Sequence, residues 1–189
     1  MGDRSEPMSI RTRRLELVVL TASFIEAVVM GDLGAAGREL GATVRRSLAS
    51  DPSHLVQLGL ADRAAVAAGF TGLARAVVLA SGSRRRLIGS IGFHGPPDDH
   101  GRLEVGCRIH PIHHGRGYGA EATTGLLNWA TTRFDVTRFL LAIPPRNDAS
   151  HLVSIDIEPR RAALSAEIEG LASILEGSTA VGQRDPGEA

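Results

Sequence analysis

Apolar and polar positions change period several times along this chain, and each change predicts an element. Leu15, Leu17, Val18, Val19 and Leu20 predict a short strand at 15–20. Thr21 or Ser23 can cap the helix that follows, Ser23 with Glu26 three residues on. Gly31 and Asp32 break that helix, and Asp32 can cap a second one running toward Arg46. Residues 51–69 are rich in Ala and Leu with mixed charge, and open on Asp51-Pro52-Ser53, which predicts a third helix. From Arg75 the period shortens. Residues 76–80 are a continuous apolar strand, 81–83 (Ser-Gly-Ser) a turn and 87–94 a second strand, together a hairpin. Residues 95–101, with Pro96-Pro97-Asp98-Asp99, form another turn, and Leu103, Val105, Cys107 and Ile109 alternate in a third strand. Residues 76–110 therefore predict a three-stranded antiparallel meander.

Beyond Pro111 come three glycines in five residues, Gly115, Gly117 and Gly119, and then a helical pattern. Ala122, Leu126, Trp129, Ala130 and Phe134 share one helical face, spaced for packing on a sheet. Residues 138–143 are a strand that must run parallel to 103–110, because a helix connects the two. Pro144-Pro145 ends it, and Asn147-Asp148 can cap the next element. Residues 159–176 predict a helix with Leu164, Ile168, Leu171 and Leu175 in a narrow seam. Residues 1–10 are expected to be a loose arm, and the Gly-, Pro- and charge-rich stretch from Gly177 a disordered tail. The fold class is α/β (α+β): a mixed, mostly antiparallel sheet flanked by helices.

Charge narrows the function classes. Basic and acidic residues balance at 21 each, so no global field draws the chain to nucleic acid or an anionic membrane. Every basic residue is Arg and none is Lys, which excludes Schiff-base chemistry on a lysine. The single cysteine, Cys107, cannot form an internal disulfide. No apolar run approaches membrane-spanning length, and the N-terminal charges have no apolar segment behind them, so a cytoplasmic location is expected.

The candidate chemistry lies at the glycine turn. Strand, glycine turn and helix N-terminus bind phosphates, because glycines let the backbone approach, the N–H groups point inward and the helix dipole favours negative charge. Gly115, Gly117 and Ala120 also match a dinucleotide fingerprint, G-x-G-x-x-A. Against that, the preceding strand sits in an antiparallel meander, and Asp135 comes before the next strand rather than at its tip. Cys107, His110, His113 and His114, with His100 nearby, invite a metal reading. Alternation along a strand points Cys107 and His110 to opposite faces, so no metal is assigned. G-x-S-x-G is absent and no Ser-His-Asp arrangement is defended.

Five segments carry a resemblance. They are Arg14-Leu15-Glu16-Leu17; Leu87-Ile88-Gly89-Ser90-Ile91-Gly92; Leu103-Glu104-Val105-Gly106-Cys107-Arg108-Ile109-His110-Pro111; residues 113–122; and Asn147 with Ser150. Together, over residues 11 to about 155, the chain resembles the GNAT superfamily of acetyl-CoA-dependent N-acetyltransferases. The likeness is greatest to its ribosomal-protein alanine and serine N-acetyltransferase branch.

The resemblance implies a GNAT-like domain over 11–158, with an atypical helix and tail over 159–189. It implies a splayed parallel strand pair that admits pantetheine, and acetyl-CoA as co-substrate. Backbone groups of Cys107, Arg108 and Ile109 would pair with the pantetheine amides. The N–H groups of His114, Gly115, Arg116, Gly117, Tyr118 and Gly119 would hold the pyrophosphate, and Asn147 would bond the pantetheine arm. Glu104 is the candidate base, or else a partner for Arg108, and Ser150 the candidate proton donor to the thiolate, or else a helix-cap serine. Glu121 at the helix start is expected to be structural. The implied reaction moves acetyl directly to an amine of a small molecule or a protein N-terminus. The alternative is a non-catalytic acyl-CoA-binding module on the same fold.

Departures are local until the end of the chain. His114 stands where the family usually has Arg or Gln, and Leu140, Leu141 and Ala142 fill a strand that often carries an acid. Residues 151–158 lose the family's pattern, and the 159–176 helix is expected to replace the two strands that normally come next. The bare sheet edge would then be covered by the leucine seam, packing back or pairing with a second copy.

Overall fold

The computed structural model describes residues 9–49, 52–81, 84–143 and 151–156. Among these residues seven strands lie side by side in chain order: β1 (Ser9–Arg11), β2 (Leu15–Val19), β3 (Ala74–Ser81), β4 (Arg84–Phe93), β5 (Arg102–Ile109), β6 (Arg138–Ile143) and β7 (His151–Asp156). Every neighbouring pair is antiparallel except β5 and β6. The helices are α1 (Ala22–Val29), α2 (Leu33–Leu40), α3 (Arg46–Ala49), α4 (Ser53–Ala65) and α5 (Tyr118–Phe134).

Helix boundaries follow their caps. The Thr21 hydroxyl accepts the Phe24 N–H at 3.1 Å and starts α1. Asp32 accepts the Ala35 N–H at 2.8 Å and starts α2. The second helix stops at Leu40 rather than running on toward Arg46, because Gly41 takes a left-handed conformation (φ 62°) that ends it.

Each sheet face buries one layer. On one face α5 lays Ala122, Leu126, Leu127 and Ala130 over Leu17, Val77, Ile91, Leu103 and Val105, with Trp129 and Phe134 packed at the margin. On the other, α1, α2 and α4 bring Phe24, Val28, Leu40, Leu55 and Leu58 onto Ala74, Ala76, Val78 and Leu87. The meander at 76–110 and the parallel placement of 138–143 are as expected from the pattern. The turn at 82–83 lies outside the described residues.

Two strands correct the sequence reading. Ser9 and Ile10 do not belong to a loose arm: with Arg11 they pair against Val18, Leu17 and Glu16, and Ile10 packs on the core under α5. Three residues are too few to show a period. Residues 151–156 do not leave the edge of β6 bare; they form β7, paired along the whole of β6 from Arg138↔Asp156 to Ile143↔His151. The signal was present, since Val153 and Ile155 alternate with Ser154 and Asp156. An open β6 edge supplies the partner that such a strand needs. Residues 144–150 and 157–189, including Asn147, Ser150 and the leucine seam, lie outside the described residues.

Glu121 is structural, and more so than a dipole contact alone would make it. Its carboxylate accepts the Thr12 hydroxyl, the Arg14 backbone N–H and the Arg14 Nε, each at 2.6 Å, while the Arg14 guanidinium lies 4.5 Å from the Tyr118 ring centre. Burial works to raise its pKa, but the bonds from Thr12 and Arg14 and the charge of Arg14 outweigh it and hold the carboxyl below its ordinary value. A depressed carboxyl contributes stability above its unfolded-state pKa and loses it as pH falls through the folded value. Glu121→Gln is therefore expected to cost about 1–3 kcal/mol at pH 7. It should also flatten the fall of Tm in acid, as differential scanning calorimetry from neutral pH downward would show.

Candidate functional site

The site is built where the parallel pair comes apart. β5 and β6 are paired only from Arg102↔Arg138 to Val105↔Leu141. β5 continues through Ile109, still paired with β4, and β6 continues through Ile143, paired with β7. From Gly106 onward the two strands share no register, so a cleft opens between them. The His94 N–H bonds the Glu104 carbonyl (2.9 Å) and the His110 N–H bonds the Ile88 carbonyl (2.8 Å). Those bonds direct the backbone groups of even-numbered β5 residues to β4, and leave those of Cys107 and Ile109 facing the cleft. Of the three residues expected to offer backbone groups, Arg108 therefore turns its own toward β4. The Ile109 carbonyl is held by the His114 ring, whose Nε2 lies 2.6 Å away.

Next along the chain is the turn. Residues 111–113 form one 3₁₀ turn that His114 closes, its N–H bonded to the Pro111 carbonyl at 3.0 Å. Gly115 (φ 68°) and Gly117 (φ 71°) are both left-handed, a conformation only glycine takes without strain. Gly117 caps α5 with no side-chain bond, and the first helical bond runs from Glu121 N–H to the Gly117 carbonyl. Among the described residues no backbone acceptor takes the N–H of any residue from Gly115 to Ala120. The cradle thus begins one residue later than expected, with the His114 N–H already engaged.

The turn has a basic flank. A cavity of about 630 Å³ is lined by residues 41–43 together with Arg45, Arg84, Arg85 and Arg86. Arg85 is engaged by Glu16 and by the Gly41 carbonyl. Among the described residues no carboxylate pairs with Arg45, Arg84 or Arg86, and the buried Arg86 Nε has no hydrogen-bond partner. Burial lowers the His113 pKa, and Arg116, His110, Arg86 and Arg45 lower it further. Three guanidinium groups of this flank, those of Arg45, Arg84 and Arg86, thus stand without a carboxylate among the described residues, a setting that favours an anionic ligand.

Side chains divide by face. Cys107 shares the α5 face with Val105, beside Thr123; the residue is exposed, while desolvation of the thiol against that face pushes it up to about 12. Glu104 and Arg108 are exposed on the opposite face, and Arg116 is exposed at the turn. Among the described residues no group of three or more His, Cys, Asp or Glu could hold a metal ion.

One cluster on the Glu104 face was not legible in the sequence. His54 of α4 places Nδ1 2.7 Å from the Ser90 hydroxyl of β4. The His54 and His94 rings meet edge to face with centres 6.2 Å apart. Both lie over Gly106, where a Cβ would collide with His94 Nε2 and stand 3.1 Å from His54 Nε2. These residues come from three elements, and no spacing along the chain connects them.

Seven strands in chain order, with one parallel pair that parts beside a glycine turn and helix N-terminus lacking a side-chain cap, define the class of fold. The profile of the acetyltransferase (GNAT) domain family matches residues 45–155, and the chain belongs to that family. It is 40% identical over 52 residues to the uncharacterized N-acetyltransferase YjdG of Bacillus subtilis (strain 168), a match covering 28% of this chain and 31% of that protein. It is 30% identical over 67 residues to the uncharacterized N-acetyltransferase YoaA of the same organism, covering 35% and 38%. The matches thus span about a third of the length of these curated relatives. A candidate acetyltransferase from T. thermophilus shares the fold, with a TM-score of 0.51 at 16% identity over 88% of this chain and 98% of that one.

Proposed function

We propose that this chain transfers the acetyl group of acetyl-CoA directly to an amine, carried by a small molecule or by a protein N-terminus. The observation that carries the reading is the parting of β5 from β6 after Val105↔Leu141, beside the cradle at residues 115–120. The chain's groups fit the ligand. Cys107 N–H and C=O and the Ile109 N–H can pair with the amides of an extended pantetheine arm as an added strand would. The N–H groups of Gly115 to Ala120 and the α5 dipole suit a diphosphate, and the basic flank adds charge of the right sign. Asn147 is proposed to bond the arm and Ser150 to return a proton to the departing thiolate. Acetyl-CoA supplies an activated thioester, so the protein has only to orient it, stabilise an oxyanion and manage protons.

Membership of the family supports acetyl transfer, and the acceptor is the finer part of the proposal. No helix among the described residues is long and apolar enough to cross a membrane; a cytoplasmic location and pairing of two copies through the 159–176 helix remain proposals. Thiol release from acetyl-CoA, measured against a panel of primary amines and N-terminal peptides, tests the activity, with a thermal shift in CoA alongside. A shift with turnover is expected. A shift without turnover favours the non-catalytic acyl-CoA-binding module, and neither shift nor turnover overturns both.

A further inference from the structure

We propose that His94 is the group that takes the proton from the acceptor amine, with His54 and Ser90 as the residues that position it. The proposal rests on the acetyltransferase reading above and names a different base from Glu104. Glu104 lies within the paired stretch of β5, opposite Leu140, before the strands part. His94 stands across the ladder from Glu104, its N–H on the Glu104 carbonyl, but its ring leans along the sheet to place Nε2 over Gly106. Gly106 is the first β5 residue beyond the last β5–β6 pair, so that nitrogen stands at the mouth of the cleft.

The arrangement is supported from below and from the side. Gly106 is buried with no room for a Cβ, and the atom that would be struck first is His94 Nε2. The absence of a side chain there is what lets the Nε2 end of the imidazole lie over the strand. The His54 ring, held by the nearly buried Ser90 hydroxyl, packs edge to face against His94 and confines it. By register Glu104 and Arg108 share the strand face over which His94 lies, and His54 meets its ring from α4. An imidazole ring nitrogen with a free lone pair can accept the proton of an ammonium group brought to the cleft.

Atoms and charge balance through the step. An acceptor R–NH3⁺ gives one proton to His94 Nε2, and its freed lone pair forms the C–N bond to the thioester carbonyl. Collapse of the tetrahedral intermediate breaks the C–S bond, and the amine's second proton accompanies the thiolate as CoA–SH. His94 then releases its proton to water. The sum is R–NH3⁺ and acetyl-CoA giving the acetamide, CoA–SH and H⁺.

Two measurements on the full chain decide it. In ¹H–¹³C spectra of the imidazoles, acetyl-CoA is expected to move the His94 Cε1–H resonance, whereas ADP should move only the backbone amides at 115–120. If acetyl-CoA moves those amides and leaves His94 unmoved, the proposal falls and the CoA reading stands; if nothing moves, the CoA reading itself falls. With an amine returned by the panel, His94→Gln should lower kcat by about 100-fold and move the acid limb of the pH–rate profile up toward the amine's own pKa. CoA affinity should stay within about twofold, since the phosphate cradle is untouched. Activity of that variant should be largely restored with hydroxylamine, which is already neutral at pH 7. Gly106→Ala, which displaces the ring with both histidines present, should show the same kcat loss. Should Glu104→Gln carry the loss while His94→Gln does not, Glu104 is the base and the proposal is overturned.

Discussion

Gly117→Glu is expected to weaken CoA binding by at least about 100-fold in isothermal titration calorimetry. Two effects add. Gly117 is left-handed at φ 71°, so any L side chain there is strained by roughly 1–2 kcal/mol. The larger effect is a carboxylate standing among N–H groups that would otherwise face a diphosphate, at the positive end of the α5 dipole. Gly117→Ala separates the two, adding the strain without the charge, and should weaken binding by about tenfold at most. Tm should fall only a few degrees in either variant, because the turn lies outside both packed layers. A Glu variant that binds CoA as the parent does would place the phosphate site elsewhere.

The second large effect is on folding. Gly89→Val is expected to destabilise the protein by about 4 kcal/mol or more, read from urea unfolding followed by circular dichroism. A Cβ at Gly89 would overlap the Arg108 carbonyl oxygen and stand 3.0 Å from the Ile109 Cα. Both are backbone of the strand that borders the cleft, so neither can swing aside. Position 89 is further constrained by the bulge beside it, where the register shifts between Val77↔Gly89 and Val78↔Leu87. Gly119→Ala is the internal control. Its Cβ would stand an ordinary 3.8 Å from Ile109 Cγ1, in the first turn of a helix, so stability should be unchanged or slightly raised. Equal losses from both would mean that steric contact with β5 is not what Gly89 avoids.

These two glycines show how differently a residue can be read from sequence. Gly117 was legible because its neighbours at 115 and 119, the strand before and the helix after form one local pattern with one physical use. Gly89 was legible only as part of a resemblance. The reason that it must be glycine is a carbonyl nineteen residues away along the chain, and distance in sequence carries no trace of it. His54 and Ser90 are a sharper case. Each reads as an unremarkable polar residue on its own element, and only the stacking of α4 on β4 brings them to 2.7 Å. β7 differs again: Val153 and Ile155 alternate with Ser154 and Asp156 over too few residues to decide a strand, and pairing with the open edge of β6 is what fixes it.

By itself the sequence determined the local periods: a meander at 76–110, a glycine turn opening a helix, and a strand at 138–143 that had to be parallel because a helix precedes it. Periodicity and capping act within a few residues, so neighbouring letters suffice to show them. Only the tertiary structure decided where β5 and β6 part, which backbone groups the parting leaves facing the cleft, and which imidazoles stand over it. Those depend on register and on the stacking of one layer upon another, which are set by contacts between elements far apart in the chain.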